Sequence, residues 1–234
     1  MKLLHIDSSI LGPESASRQI SAAVVARLRD GHPGLEVMYR DLAAEPLPHQ
    51  SVAIHRMREV PAAPDDSSAP AGSSAPAGSS ERPFGAADQD LDAGARVLSD
   101  LSRLDAALEE FLAAEVVVIG APMYNFGIPS QLKTWIDALA VFGKTFTYDE
   151  HGPAGLAGAK RVIVASSRGG EYGADTATAG FDHQETYLSA FFSFIGVRKL
   201  EFVRAEGINY GPEQRKSAIE GALAQAVALR AQAR

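Results

Sequence analysis

Apolar positions along this chain recur with two different periods, and the switches between the periods mark its elements. Residues 2–7 carry a short apolar run into the polar pair Ser8-Ser9, which predicts a first strand ending in a loop. From Ser15, a side chain able to cap a helix, Ile20, Val24, Val25 and Leu28 recur at helical spacing until His32-Pro33-Gly34 stops them. A second strand over 35–40 and a proline-bearing loop at 45–48 follow. Leu91, Leu98, Leu101, Leu104, Leu108, Phe111 and Leu112 then predict a long amphipathic helix. The unbroken run Val116-Val117-Val118-Ile119 before Gly120 is that of a strand covered on both faces, in the middle of a parallel sheet.

Pro129 suits the start of a helix that Leu132, Trp135, Ile136, Leu139 and Phe142 continue to Gly143. Residues 146–148, with glycines at 152, 155 and 158, predict a loop or short hairpin. A strand over 161–165, a helix over about 182–195, a strand over 199–204 and a helix opened by Pro212 complete the chain. Five strands alternating with five helices predict an α/β fold, an open five-stranded parallel sheet with right-handed crossovers and helices on both faces.

The length of 234 residues fits a single domain spanning 1–234, but one segment breaks the pattern. Within 61–87 the hexapeptide Ser-Ser-Ala-Pro-Ala-Gly at 67–72 is repeated at 73–78. A tract so poor in apolar side chains cannot offset the entropy of ordering it, which predicts a disordered low-complexity insertion that is dispensable for chemistry. Charge follows the same division. Residues 59–100 hold eight acids against two bases, so they carry six of the seven net negative charges. An acidic chain without a basic face is not a nucleic-acid binder.

Having no cysteine, the chain has no disulfide, thiolate metal site or cysteine nucleophile, and its six histidines show no paired ligand spacing, so no metal is expected. The longest uncharged run, 116–132, is interrupted by two prolines and falls short of a membrane span. The N-terminus lacks the features of a signal peptide, and a cytoplasmic protein is the expectation.

In an open α/β sheet, ligands bind beyond the carboxyl ends of the strands, where the strand order reverses. Three loops there carry candidate chemistry. Residues 9–17 put hydroxyls at Ser9, Ser15 and Ser17 around a helix start, where free amides and the helix dipole favour an anion such as phosphate. A capping serine in a solvated loop would look the same. Pro122-Met123-Tyr124-Asn125-Phe126-Gly127 sets aromatics on both sides of an Asn, which suits a planar heterocycle or a tight turn whose rings cap the core. Ser167-Arg168-Gly169-Gly170 offers close backbone approach with a guanidinium nearby, or a plain turn.

Rival motifs fail on context. Gly143-Lys144-Thr145 lacks the earlier glycine of a phosphate loop and follows a helix. No G-x-G-x-x-G follows the first strand, so a nicotinamide would visit as a substrate, and no G-x-S-x-G elbow is present. His5 reads as a structural histidine, and Trp135 as core or interface.

Taken jointly and in order, Ser8-Ser9 with Ser15 and Ser17, then Pro122 to Phe126, Ser167 to Gly170 and Ala205-Glu206-Gly207 resemble the FMN-dependent NADH:quinone oxidoreductases known as azoreductases. The resemblance covers residues 1 to about 215 apart from the insertion. It implies a flavodoxin-like fold and a homodimer with FMN at the subunit interface. It also implies two-electron, ping-pong transfer from NADH or NADPH to a small-molecule quinone or azo acceptor. By position, Ser9, Ser15, Ala16 and Ser17 would hold the FMN phosphate, with Ala16 acting through its backbone. Met123, Tyr124, Asn125 and Phe126 with Ser167, Arg168, Gly169 and Gly170 would hold the ring. Phe126, Tyr148 and Phe194 would wall the substrate pocket, and Trp135, Phe142 and Phe194 are candidate interface aromatics. The flavin carries the chemistry, so no protein acid or base is required. A flavodoxin-type electron carrier with a protein redox partner is the alternative, and a phosphoreceiver module needs more acids at the strand ends than Asp7 supplies.

Overall fold

A computed structural model describes residues 1–58 and 86–229. Strand β1 (Lys2–Asp7), helix α1 (Ala16–Gly31) and strand β2 (Glu36–Asp41) open the chain. Helices α2 (Val52–Arg58) and α3 (Ala86–Ala113) lead to β3 (Val116–Pro122) and α4 (Ser130–Leu139). The hairpin β4 (Phe146–Asp149) and β5 (Gly152–Gly155) precedes β6 (Arg161–Ser167), α5 (Glu185–Phe194), β7 (Lys199–Ala205) and α6 (Pro212–Ala228). Five parallel strands form one sheet in the order β2-β1-β3-β6-β7, with β4 and β5 paired apart from it.

Both faces of the sheet are covered, because every residue of β3 and β6 is buried. Leu4, Ile6, Val117, Ile119, Val162 and Val164 pack under α3, α4 and α5 with Phe111, Trp135 and Phe192. The alternate positions, Leu3, Val116, Val118, Ile163 and Ala165, pack with Ile20, Val24 and Leu28 of α1 and Ala222 and Ala226 of α6. His5 points to this second face and its Nε2 lies 2.9 Å from the Ser21 hydroxyl of α1, a structural placement. Lys160 closes the C-terminal end of α3, donating to the carbonyls of Leu112 and Ala114 at 2.8 and 2.6 Å; burial pushes its pKa down.

The chain departs from its periodicity in several places. Helix α2 was not expected. Helix α4 stops at Leu139 rather than running to Gly143, because the Ala140 backbone leaves the helical region; Phe142 instead stacks on Tyr148 of the hairpin. Trp135 is wholly buried, edge-on to Phe111 at 6.0 Å, and so cannot serve as an interface aromatic. Leu98 lies on the exposed side of α3. The helix expected over 182–195 is shorter, at Glu185–Phe194. Residues 59–85 of the chain, with most of the low-complexity insertion, lie outside the described residues, and α3 begins at Ala86 within its expected end. No helix among the described residues is long and apolar enough to cross a membrane.

The hairpin is held against the end of α5 by backbone contact. Leu156 N–H donates to Thr145 O and Ala157 N–H to Ile195 O, both at 2.8 Å. A Cβ at Gly155 would sit 2.1 Å from the Gly196 nitrogen, so two backbones meet where no side chain fits. Gly155→Ala should therefore cost about 1–3 kcal/mol, the usual range for overpacking. Gly34→Ala, which meets nothing within 4 Å, should shift the urea midpoint little. Equal midpoints for the two variants would refute the close contact.

Candidate functional site

The chain passes from β1 to β2 on one side of the sheet and returns to β3 on the other, so a crevice opens between the ends of β1 and β3. Ser8 ends β1 by donating from both its amide (3.2 Å) and its hydroxyl (2.7 Å) to the Gly120 carbonyl of β3. Ser9 then leaves the sheet, and a short 3-10 turn over Gly12–Glu14 leads into α1.

Ser15 caps α1, accepting from the Arg18 amide at 3.3 Å, and its hydroxyl lies 3.0 Å from that of Ser17. The amides of Ala16 and Ser17 donate to no group among the described residues. Ser9, Ser15, Ala16 and Ser17 are all at most 3% exposed. Free amides at a helix N-terminus carry partial positive charge, the local chemistry that suits an anion.

The Ser9 hydroxyl lies 3.2 Å from that of Tyr124, which joins this loop to the second. After β3, Met123 N–H donates to Ser167 O at 2.8 Å, and the turn from Tyr124 to Gly127 is closed by reciprocal backbone bonds of 3.0 and 3.1 Å. Its central residues, Asn125 at φ 47° and Phe126 at φ 70°, both lie in the left-handed region. Asn tolerates that region, but a bulky residue such as Phe126 is strained in it, and strain of that kind is found where a ligand is clamped. Their amides are unpartnered among the described residues, while the Phe126 carbonyl accepts from His183 N–H at 3.0 Å.

In the third loop the carbonyls of Arg168, Gly169 and Gly170 accept from the amides of Ile208, Asn209 and Gly207 at 3.1, 3.1 and 2.9 Å. The amides of Gly169 and Gly170 make no such bond. A Cβ at Gly169 would come within 2.5 Å of Asn209 Nδ2, so a side chain there would push the Asn209 amide aside. The Arg168 side chain turns inward. It is 2% exposed and its guanidinium pairs with Asp182 at 3.0 Å, Glu206 at 3.2 Å and Glu185.

The three expected pocket aromatics fall into two groups. Phe126 packs with Phe181 and Tyr172, at ring distances of 5.2 and 6.3 Å. Phe194 meets Phe146 at 4.8 Å, and Phe146 meets Tyr148 at 5.7 Å. Among the described residues no ring contact links the two groups. An apolar groove of about 500 Å³ beside the turn is lined by Gly127, Ile128, Lys133, His183, Thr186 and Tyr187.

Sequence reasoning missed the polar cluster under the first loop. Arg18 forks onto Asp41 at 2.6 and 2.7 Å. That hydrogen-bonded pair holds the Asp41 carboxyl below its ordinary value and raises the Arg18 pKa. Tyr39 donates to Asp7 at 3.1 Å, and partial burial together with the two carboxylates pushes its hydroxyl up to about 12. The available signal was a charged residue ending each of two adjacent strands, Asp7 and Asp41, and a cation in the first turn of a helix.

A family described as having a flavodoxin-like fold matches residues 1–229. A protein of Bradyrhizobium diazoefficiens named FMN-dependent NADH:quinone oxidoreductase 2 is 53% identical over 231 residues, covering 99% of this chain and 100% of its own. An FMN-dependent NADH:quinone oxidoreductase of Methylorubrum extorquens is 49% identical with the same coverage. Among solved structures, an azoreductase from Bacillus anthracis superposes with a TM-score of 0.76 at 26% identity, over 97% of both chains. By these matches and by its strand order, the chain belongs to the flavodoxin-like family that includes the FMN-dependent NADH:quinone oxidoreductases.

Proposed function

We propose that the protein is an FMN-dependent oxidoreductase that passes two electrons from NADH or NADPH to a quinone or azo compound. The observation that supports this most is the meeting, at one strand-order reversal, of a buried pocket of free amides and serine hydroxyls with an aromatic turn whose amides are unpartnered among the described residues. The names of the relatives point the same way.

The residues fit FMN. A phosphate offers only acceptors at neutral pH, and the α1 start offers the amides of Ala16 and Ser17 with the hydroxyls of Ser9, Ser15 and Ser17. The polar edge of the ring is rich in acceptors, and Asn125, Phe126, Gly169 and Gly170 offer free amides. Bound FMN would supply the redox chemistry, taking a hydride from the nicotinamide and giving two electrons to the acceptor. The chain's part is to orient the ring between Met123–Phe126 and Ser167–Gly170. The amides of Gly169 and Gly170 would stabilise negative charge at its edge, as oxyanion-hole donors do.

The same reading accounts for the divided aromatics. Phe142 and Tyr148, 47% and 62% exposed, leave an apolar patch uncovered on the hairpin side. In a homodimer, Phe126 of one copy and the Tyr148–Phe194 group of the other would wall a single pocket.

Protein purified from its host should be yellow and release FMN on denaturation; a colourless chain that takes up no FMN would end this reading. Replacing Ser15 and Ser17 together by Ala removes two donors to a charged acceptor, each worth about 1.5–3 kcal/mol, so FMN affinity should fall about a hundredfold or more. A loss below about threefold would mean that the serines only cap α1. Because nicotinamide and acceptor share one ring face, double-reciprocal plots should be parallel, and intersecting lines would contradict the shared face. Light scattering should give a dimer; full activity from a monomer at the same concentration would rule out the two-copy pocket.

A further inference from the structure

Arg18 stands where a helix disfavours a cation, in the first turn of α1 beside amides that carry partial positive charge. Its charge is bound backwards, away from those amides. Nη1 donates to Asp41 Oδ2 at 2.6 Å and to the Tyr39 hydroxyl at 3.2 Å. Nη2 donates to Asp41 Oδ1 at 2.7 Å and to the Ser9 carbonyl at 2.8 Å, and Nε reaches that same carbonyl at 3.3 Å. A guanidinium has five N–H donors, and all five are engaged here. None is left for a ligand.

The cluster is anchored on every side. The amides of Ala43 and Ala44 donate to Asp41 Oδ1 at 3.0 and 3.2 Å. Asp7, 3.8 Å from Nη1, accepts from Ser21 at 2.8 Å and from Tyr39 at 3.1 Å. One planar group thus ties the exit of β1, the end of β2 and the start of α1 together. It draws the Ser9 carbonyl, an acceptor that would repel an anion, onto itself. It also offsets the carboxylates of Asp7 and Asp41, which would otherwise lie uncompensated beneath the buried Ser9, Ser15 and Ser17.

We propose that Arg18, braced by Asp41, is a positioning residue that presets the 9–17 loop for a phosphate through the Ser9 carbonyl, without touching the phosphate. This rests on the FMN reading above. A lysine cannot replace the brace, because its ammonium lacks the planar fork that serves the carboxylate and the carbonyl at once.

The test titrates the flavin-stripped full chain with FMN and with riboflavin, which lacks the phosphate. Unaltered protein should prefer FMN. In Arg18→Lys, FMN affinity should fall about tenfold or more, the weight of one hydrogen bond made by a charged group, while riboflavin affinity stays within about twofold. Asp41→Asn, which keeps the guanidinium but loosens it, should weaken FMN in the same selective way. Equal losses for both flavins would reduce the cluster to a fold support and overturn the proposal, as would unchanged FMN binding. Tighter FMN binding in Asp41→Asn would also overturn it, since a freed Arg18 would then be acting as a direct cation. A wild-type chain with no preference for FMN over riboflavin would instead remove the phosphate site itself, and the brace with it.

Discussion

The site depends on the carbonyl of Gly120. It accepts both the amide and the hydroxyl of Ser8, which ends the β1 ladder and sends Ser9 out of the sheet at the point where the strand order reverses. Residue 120 also has no side chain, which leaves room for its neighbour on β1: a Cβ there would lie 2.3 Å from Asp7 Oδ1. The buried carboxylate of Asp7 occupies that space and accepts from Ser21 of α1 and Tyr39 of β2. One glycine in the central strand thus makes room for the carboxylate that ties α1 and β2 to the end of β1.

The three loops share a division of labour. Among the described residues, backbone amides are left free at Ala16 and Ser17, at Asn125 and Phe126, and at Gly169 and Gly170, while charged side chains are bound to partners within the protein. Arg18 is bound in this way at the Ser9 carbonyl, while Arg168 ties the third loop to the carboxylates of Asp182, Glu185 and Glu206. Buried ion pairs are poor sources of net stability, because desolvation cancels much of their attraction, but breaking one leaves an uncompensated charge at several kcal/mol. Such a pair suits a loop that must keep one shape more than it suits general stabilisation. Amides presented in this way need no rearrangement to meet an acceptor, which is the condition for preorganised binding.

Local pattern made the parallel sheet, its buried central strands and the Ser15 cap legible in the sequence, because burial on both faces writes continuous apolar runs and a cap needs one side chain. The three loops were legible too, as polar and glycine-rich breaks placed directly after strands. What escaped was set by contacts distant in sequence. Helix α4 stops at Leu139 because the chain turns there, with Val141 and Thr145 bonding locally and Phe142 stacking on Tyr148, none of which helical spacing records. The inward turn of Arg168 needed Asp182, Glu185 and Glu206, three carboxylates from two later segments. The Arg18 fork needed Asp41, which β2 brings to it from 23 residues further along the chain.

The aromatic residues follow the opposite rule from the loops. Phe126, Phe142, Tyr148 and Phe181 remain between 45% and 62% exposed, although each has ring neighbours that could have been packed into the core. Apolar rings kept at the surface in contact with one another are a binding wall waiting for cover more often than a packing defect. A wall of flat rings discriminates weakly among planar molecules, since stacking asks for shape and area and not for particular hydrogen bonds. On the proposed reading, specificity for the cofactor therefore lies in the rigid amides, where hydrogen-bond geometry is demanding, and tolerance for acceptors lies in the rings. A quinone and an azo compound share little beyond planarity and an appetite for electrons, and planarity is what such a wall can read.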